Sequence, residues 1–234
     1  MMFRYLFYLI IFLSPVLNKS TKKISPPKLV VENTKEEKPD IYTDLNLAQY
    51  GLSLEAFQHA LTGYQVLNEK QQLRNPDILT IVDFSQSSKN KRLYVLDLKE
   101  QKLLFNTWVS HGRNTGDEFA ENFSNTDGSW QSSLGFYITE NTHVGAKVGF
   151  SLILEGVEKG INDNAKNRQI IMHGADYATE DFINQTGRLG RSFGCPAVPP
   201  QMIEPIVDSI RDGSLLFLYY PDENYLNNSE LLSV

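Results

Sequence analysis

A single cysteine, Cys195, serves the whole 234-residue sequence, so no disulfide can close within the chain and any thiol chemistry rests on that one sulfur. No apolar run is long enough to span a bilayer, because the stretch from Tyr5 to Leu13 is interrupted by Ser14 and Pro15. Positive charge is in short supply, with 22 Lys and Arg against 28 Asp and Glu for a net charge of −6, which argues against nucleic acid as a partner. No segment recurs at solenoid periods. Histidine is scarce, and no two of His111, His143, His173 and Cys195 stand at short metal-ligand spacing. No metal site is therefore expected, and no motif calls for a cofactor.

What is present at the start is Arg4 followed by that short apolar run, the pattern of a signal peptide over residues 1–18. Export to the periplasm or outside the cell follows, although a retained anchor is the alternative. Residues 19–43, rich in Lys, Glu, Pro and Ser, read as a linker. The remainder, 44–234, is one main domain. A helix is predicted over about 54–72, with Ser53 as N-cap, Leu52 and Phe57 as a hydrophobic staple, and Phe57, Ala60, Leu61, Tyr64 and Leu67 on one face. Seven short β runs follow, beginning at Ile78, Arg92, Lys102, Leu134, Ser151, Arg168 and Ser214, with a second helix at about 201–211. This pattern predicts a mainly β domain with flanking helices. The polar stretch from Gly112 to Ser133 is long enough for a functional or mobile loop.

In an oxidising compartment an unpaired cysteine implies an intermolecular bridge, a reactive thiol or an inert buried residue. Its neighbours favour reactivity. The apolar run "RQIIMHG" ends at His173, where a buried strand leaves the core, and Gly174 is expected to permit a sharp turn there. Pro196 restricts Cys195 to an extended backbone. His173 is the candidate base for the Cys195 nucleophile. Arg188 and Arg191 are candidates to stabilise a thiolate or bind a substrate carboxylate, and the amides of Gly194 and Cys195 to form an oxyanion hole. Each also has a plainer role: a solvated arginine pair, a tight Gly-Cys-Pro connection, a histidine satisfying a carbonyl. His111 either lines the same cleft or is a structural residue at a strand end, and His143 is read as a loop residue.

"MHGA" followed by "GRLGRSFGCPAV" resembles the signature of the murein L,D-transpeptidase catalytic domain, as do "SHGRNTG" from Ser110 and "FSNTDGSWQSSLGFYIT" from Phe123. The resemblance covers about Asp77 to Tyr220. It implies an L,D-transpeptidase-like β-sandwich whose cysteine, here Cys195, is acylated by a peptidoglycan stem peptide. His173 is then the base, the Gly174 carbonyl orients the imidazole, and Ser192 and Gly194 shape the turn. Ser192, with His111, Arg188 and Arg191, falls among the expected substrate-binding positions. Two departures stand out: Phe193 occupies the place of the turn's usual histidine, and Pro196-Ala197 replaces the usual sequence after the cysteine. The same site would serve an L,D-carboxypeptidase if water resolved the thioester. A sortase arrangement is not found around Cys195, and papain-like enzymes place cysteine before histidine, so both rank lower. The rival of another class is a non-catalytic wall-binding protein with an inert Cys195.

Overall fold

The computed structural model describes residues 40–233; the signal-peptide expectation and most of the linker lie outside them. The linker ends earlier than expected. Ile41–Asp44 form a short helix, α1, because Ile41, Tyr42 and Leu45 pack on the domain and the Tyr42 hydroxyl donates to the Leu52 carbonyl at 2.7 Å. A 3-10 turn, Leu47–Tyr50, follows.

Helix α2, Leu54–Glu69, starts where its cap dictates: the Ser53 hydroxyl accepts from the Ala56 amide at 3.2 Å. It buries Ala56, Phe57, Ala60, Gly63 and Leu67. Its end comes before Gln72 because Gln71 is left-handed at φ 56°, and the Gln72 amide turns back to the Leu67 carbonyl at 3.0 Å, as in a Schellman ending.

The strands are β1 (Ile78–Asp83), β2 (Leu93–Asp97), β3 (Lys102–Thr107), β4 (Gly135–Gly145), β5 (Gly149–Gly156), β6 (Ile171–Gly174), β7 (Ala197–Val198) and β8 (Leu215–Tyr219). They form one mixed sheet in the order β3-β2-β1-β8-β4-β5-β6-β7. The pairs β1–β8 and β6–β7 are parallel. Beyond β3 the chain returns to the opposite edge, where Ser110 bridges Ala197 and Gly112 bridges Ser192. The sheet thereby curls into a near-barrel with few helices about it, the mainly β architecture expected. Inside lie Val82, Val95, Tyr137, Leu154, Met172 and Leu218, with Ile203, Ile206, Val207 and Ile210 of α4 (Pro200–Ile210). Outside, α2 covers Leu79, Ile81, Tyr94, Phe136, Phe217 and Tyr219. Nearly every β1 and β8 side chain is consequently buried, which is why those runs read as continuous apolar stretches. Two further helices, α3 (Glu180–Thr186) and α5 (Glu223–Asn228), complete the domain.

Strands β4 and β5 reach further than the sequence suggested, forming a long hairpin that joins at residues 145–149. His143, read as a loop residue, is an exposed strand residue within it, since alternate β4 positions beyond Thr139 face solvent. Strand β7 was not anticipated at all; only two residues long, it leaves no periodicity to read.

Candidate active site

The site forms at the closing seam of the sheet. Strand β6 pairs in parallel with β7, His173 opposite Ala197. Cys195 stands two residues before Ala197, just ahead of β7. Side chains alternate along a strand, so residues 171 and 173 share one face of β6. His173 is paired with the strand that begins two residues after Cys195. In this conformation the thiol donates to the Gln169 carbonyl at 3.7 Å, not to the imidazole.

His173, 7% exposed, has its tautomer fixed by geometry. Its Nδ1 lies 2.9 Å from the Gly174 carbonyl oxygen, which can only accept, so Nδ1 carries the proton and Nε2 keeps its lone pair. Burial pushes the imidazole pKa down while the Gly174 carbonyl opposes that, which keeps the ring neutral and basic at pH 7. Gly174 does not make the sharp turn expected of it. It continues β6, with Ala175 bonded to Val198 at 2.9 Å, and its missing side chain instead admits Pro200, whose Cα would lie 3.1 Å from a Cβ.

The turn before the cysteine is closed on itself. The Ser192 hydroxyl donates to the Cys195 carbonyl at 2.6 Å and accepts from the Gly194 amide at 3.0 Å. Ser192 is buried, so this hydroxyl shapes the turn and is already engaged where a substrate contact was expected. The Gly194 amide is likewise occupied, which leaves the Cys195 amide as the oxyanion-hole candidate from this turn. Gly194 has φ 124°, a conformation that favours glycine, and a Cβ there would sit 2.8 Å from the Gln131 carbonyl oxygen. Burial raises the Cys195 thiol pKa, while the Ile171 amide and the Arg168 charge pull it down.

The Gly112–Ser133 stretch forms the wall of the site and is held by hydrogen bonds along its length. Ser132 Oγ accepts from Gly112 N and donates to the Gly194 carbonyl, each at 3.0 Å. The Arg113 amide donates to Ser192 O at 2.8 Å. His111, only 1% exposed, does not open into a cleft. Its Nδ1 accepts from Arg92 Nη2 at 2.7 Å and its Nε2 lies 3.3 Å from the Gly116 carbonyl oxygen. With both ring nitrogens engaged, it braces the wall. Arg92 is itself wholly buried and donates to the Val109 and Gln86 carbonyls.

Arg191 lines a cleft of about 420 Å³ with Arg113, Asn114, Asp117 and Phe119. Its Nη1 donates to Asp117 Oδ1 at 2.5 Å, Gly116 O at 3.1 Å and Arg113 O at 3.2 Å. Arg188 lies 3.8 Å from the same carboxylate and donates to Leu189 O at 2.7 Å. Phe193 is 64% exposed and tilts against Trp130, ring centroids 5.4 Å apart. Arg113 covers Trp130 at 5.2 Å. Sequence reasoning missed Arg168, Ser132 and Arg92. The one available signal was a lone cation heading the buried "RQIIMHG" run, where an unpaired charge requires internal partners.

His173, Cys195 and the hydrogen-bonded turn before it lie at the closing seam of a curled mixed sheet. The L,D-transpeptidase catalytic domain family matches the chain over residues 48–219, and the protein belongs to that family. Similar solved structures include an L,D-transpeptidase from Mycobacterium smegmatis, 11% identical with a TM-score of 0.38, over 62% of this chain and 59% of that one. Another is an L,D-transpeptidase from Stackebrandtia nassauensis, 15% identical with a TM-score of 0.36, over 63% of this chain and 57% of that one. The chain therefore matches less than two thirds of the length of either, and the family assignment stands on the sequence match. No curated protein matches the chain.

Proposed function

We propose that the protein is an exported L,D-transpeptidase acting on peptidoglycan stem peptides through a Cys195 thioester. His173 Nε2 takes the thiol proton, and the thiolate attacks the carbonyl of the L-centre diamino acid in a donor tetrapeptide. The C–N bond to the terminal D-amino acid breaks, and its nitrogen leaves as an amine with the proton from His173. An acceptor amine then attacks the thioester, forming the new amide and returning the thiol. The Cys195 amide is the donor aimed at the developing oxyanion. Arg191, with Arg188 behind it, binds a donor carboxylate in place of or beside Asp117.

The observation that carries this reading is the Nδ1–H···O=C bond from His173 to Gly174 at 2.9 Å. It supports Nε2 as the basic nitrogen, on the strand that pairs with β7 just after the only thiol. A rotation of the Cys195 side chain away from Gln169 is then what brings donor and base together.

Intact-mass analysis of the purified protein with a tetrapeptide muropeptide tests the proposal. The expected result is release of D-alanine and a covalent adduct of the remaining acyl group. The adduct is absent in Cys195→Ser and forms ~10²–10⁴-fold more slowly in His173→Ala. A second stem bearing a free amine converts the adduct to a cross-linked dimer, whereas release of a tripeptide alone identifies a carboxypeptidase. A protein that forms no adduct, and whose Cys195 alkylates like an ordinary thiol, is the non-catalytic wall-binding alternative.

A further inference from the structure

Residue 168 connects the thiol to the wall of the site. The Arg168 guanidinium donates through Nη1 to Ser124 O at 2.7 Å and Ser133 Oγ at 2.5 Å. Through Nη2 it donates to Gln131 O at 2.6 Å and Ser129 Oγ at 3.2 Å. All these acceptors belong to the Ser124–Ser133 segment, and all are neutral. The same Nη2 lies 3.4 Å from the point a Cβ on Gly194 would occupy, one residue from the nucleophile. The next residue, Gln169, is held left-handed at φ 56°, and its carbonyl receives the Cys195 thiol proton. One short segment therefore carries a guanidinium packed close to Gly194 and a carbonyl oxygen that accepts from the Cys195 thiol.

A half-buried guanidinium whose hydrogen bonds all go to neutral oxygens has given up water without a hydrogen-bonded counterion, an arrangement that an anion formed nearby would favour. Asp127 and, when it ionises, Cys195 are the negative charges that act on Arg168; the buried Tyr137 phenol near it stays neutral, its pKa raised by burial. The other titratable groups about the sulfur are His173 on the paired strand and Tyr177 of the 3-10 turn Asp176–Ala178. Neither supplies a permanent positive charge.

We propose that Arg168 is a positioning residue of the catalytic site: it clamps the Ser124–Ser133 wall against Gly194 and holds a fixed positive charge beside the sulfur of Cys195. The inference rests on the reading of Cys195 as a nucleophile. It assigns to Arg168 the charge that favours the thiolate before any substrate arrives. His173 then moves the proton, and Arg168 makes no contact with the reacting carbonyl.

Because Cys195 is the only thiol, iodoacetamide alkylation followed by mass against pH reads this site without reference to any stem peptide. In Arg168→Gln the alkylation midpoint is expected to move to higher pH and the rate at pH 7 to fall about tenfold. Arg168→Lys keeps the charge but not the planar fork; it is expected to lose about threefold, with a lower melting temperature from the loosened wall. Ser133→Ala removes one clamp bond and no charge, so its melting temperature should fall while its alkylation profile stays that of the parent. A folded variant without the charge, Arg168→Gln or Arg168→Met, with the parent's alkylation profile overturns the proposal, whatever its melting temperature. So does a Ser133→Ala variant whose profile moves as far as that of Arg168→Gln. A parent protein that alkylates with these expected differences yet forms no muropeptide adduct overturns the transpeptidase reading and leaves the role of Arg168 standing.

Discussion

The two sides of the sheet are held together in different ways. Under α2, Phe136 stacks on Phe217 with centroids 4.1 Å apart, and Leu67, Leu79, Leu96 and Leu215 close around them. At the seam, contacts run from buried Arg, Ser and His side chains to backbone oxygens and amides far away in sequence: Arg92 to Val109, Ser132 to Gly194, Arg168 to Gln131. Apolar packing is non-directional and tolerates small shifts. A hydrogen-bonded seam has defined angles and loses its full desolvation cost when a partner is removed. The helix-covered side thus supplies stability, and the seam supplies the geometry in which one thiol and one imidazole keep their places.

The largest expected effect comes from breaking the apolar side. Phe217→Ala removes a wholly buried ring and should cost about 3–5 kcal/mol in denaturant unfolding. In the protein that stays folded at low temperature, the Cys195 alkylation profile should be unchanged. A shifted profile would show that the two sides are coupled, and the contrast between them would fail.

A pH titration sharpens the comparison from the other side. Burial and the Arg92 charge hold the His111 pKa down to about 3 from an ordinary 6.5. Between those values the unfolded chain binds a proton at residue 111 that the native protein does not. The stability contributed is therefore full above 6.5 and declines as pH falls toward about 3, with a limiting slope of about 1.4 kcal/mol per pH unit. His111→Asn, whose side-chain oxygen accepts from Arg92 as Nδ1 does, should flatten that part of the curve. Equal slopes in parent and variant would remove His111 from the account of the seam.

The smallest expected effect on folding is that of Arg191→Lys. The Asp117 carboxylate it meets is 79% exposed, and such an ion pair contributes little to stability. The melting temperature should change by less than about 3 °C, while the KM for a tetrapeptide donor rises as the two-pronged carboxylate contact is lost. A lower melting temperature with unchanged donor kinetics would assign Arg191 to fixing the Asp117 loop alone.

These two sides also differ in how far the sequence disclosed them. The α2 stripe, its Ser53 cap and the runs at β1 and β8 were legible because apolar spacing and capping are local. The β4–β5 hairpin extension and β7 were not, since an exposed hairpin alternates weakly and two residues make no period. At the site, Cys195, His173 and Gly174 were candidates from one short motif, and of these the contact between the Gly174 carbonyl and the His173 ring is seen. The roles of the other residues in the wall were not legible. Ser192 could be named, but its engagement with Gly194 and Cys195 could not be foreseen, and Arg168 passed as the first residue of a strand.

By itself the sequence determined that the chain has one thiol, that a histidine ends a buried apolar run, and that the domain is mainly β. Composition and short-range spacing suffice for that, because the number of cysteines, the caps and the apolar periods are properties of the chain alone. The tertiary structure decided which polar groups are engaged and which are available. His111 meets Arg92 across nineteen residues and Ser132 meets Gly194 across sixty-two, and His173 retains a basic Nε2 because its Nδ1 is bonded beside it. A hydrogen bond has range and direction but leaves no periodic trace in sequence, so only the closing of the sheet settles which of these partners meet.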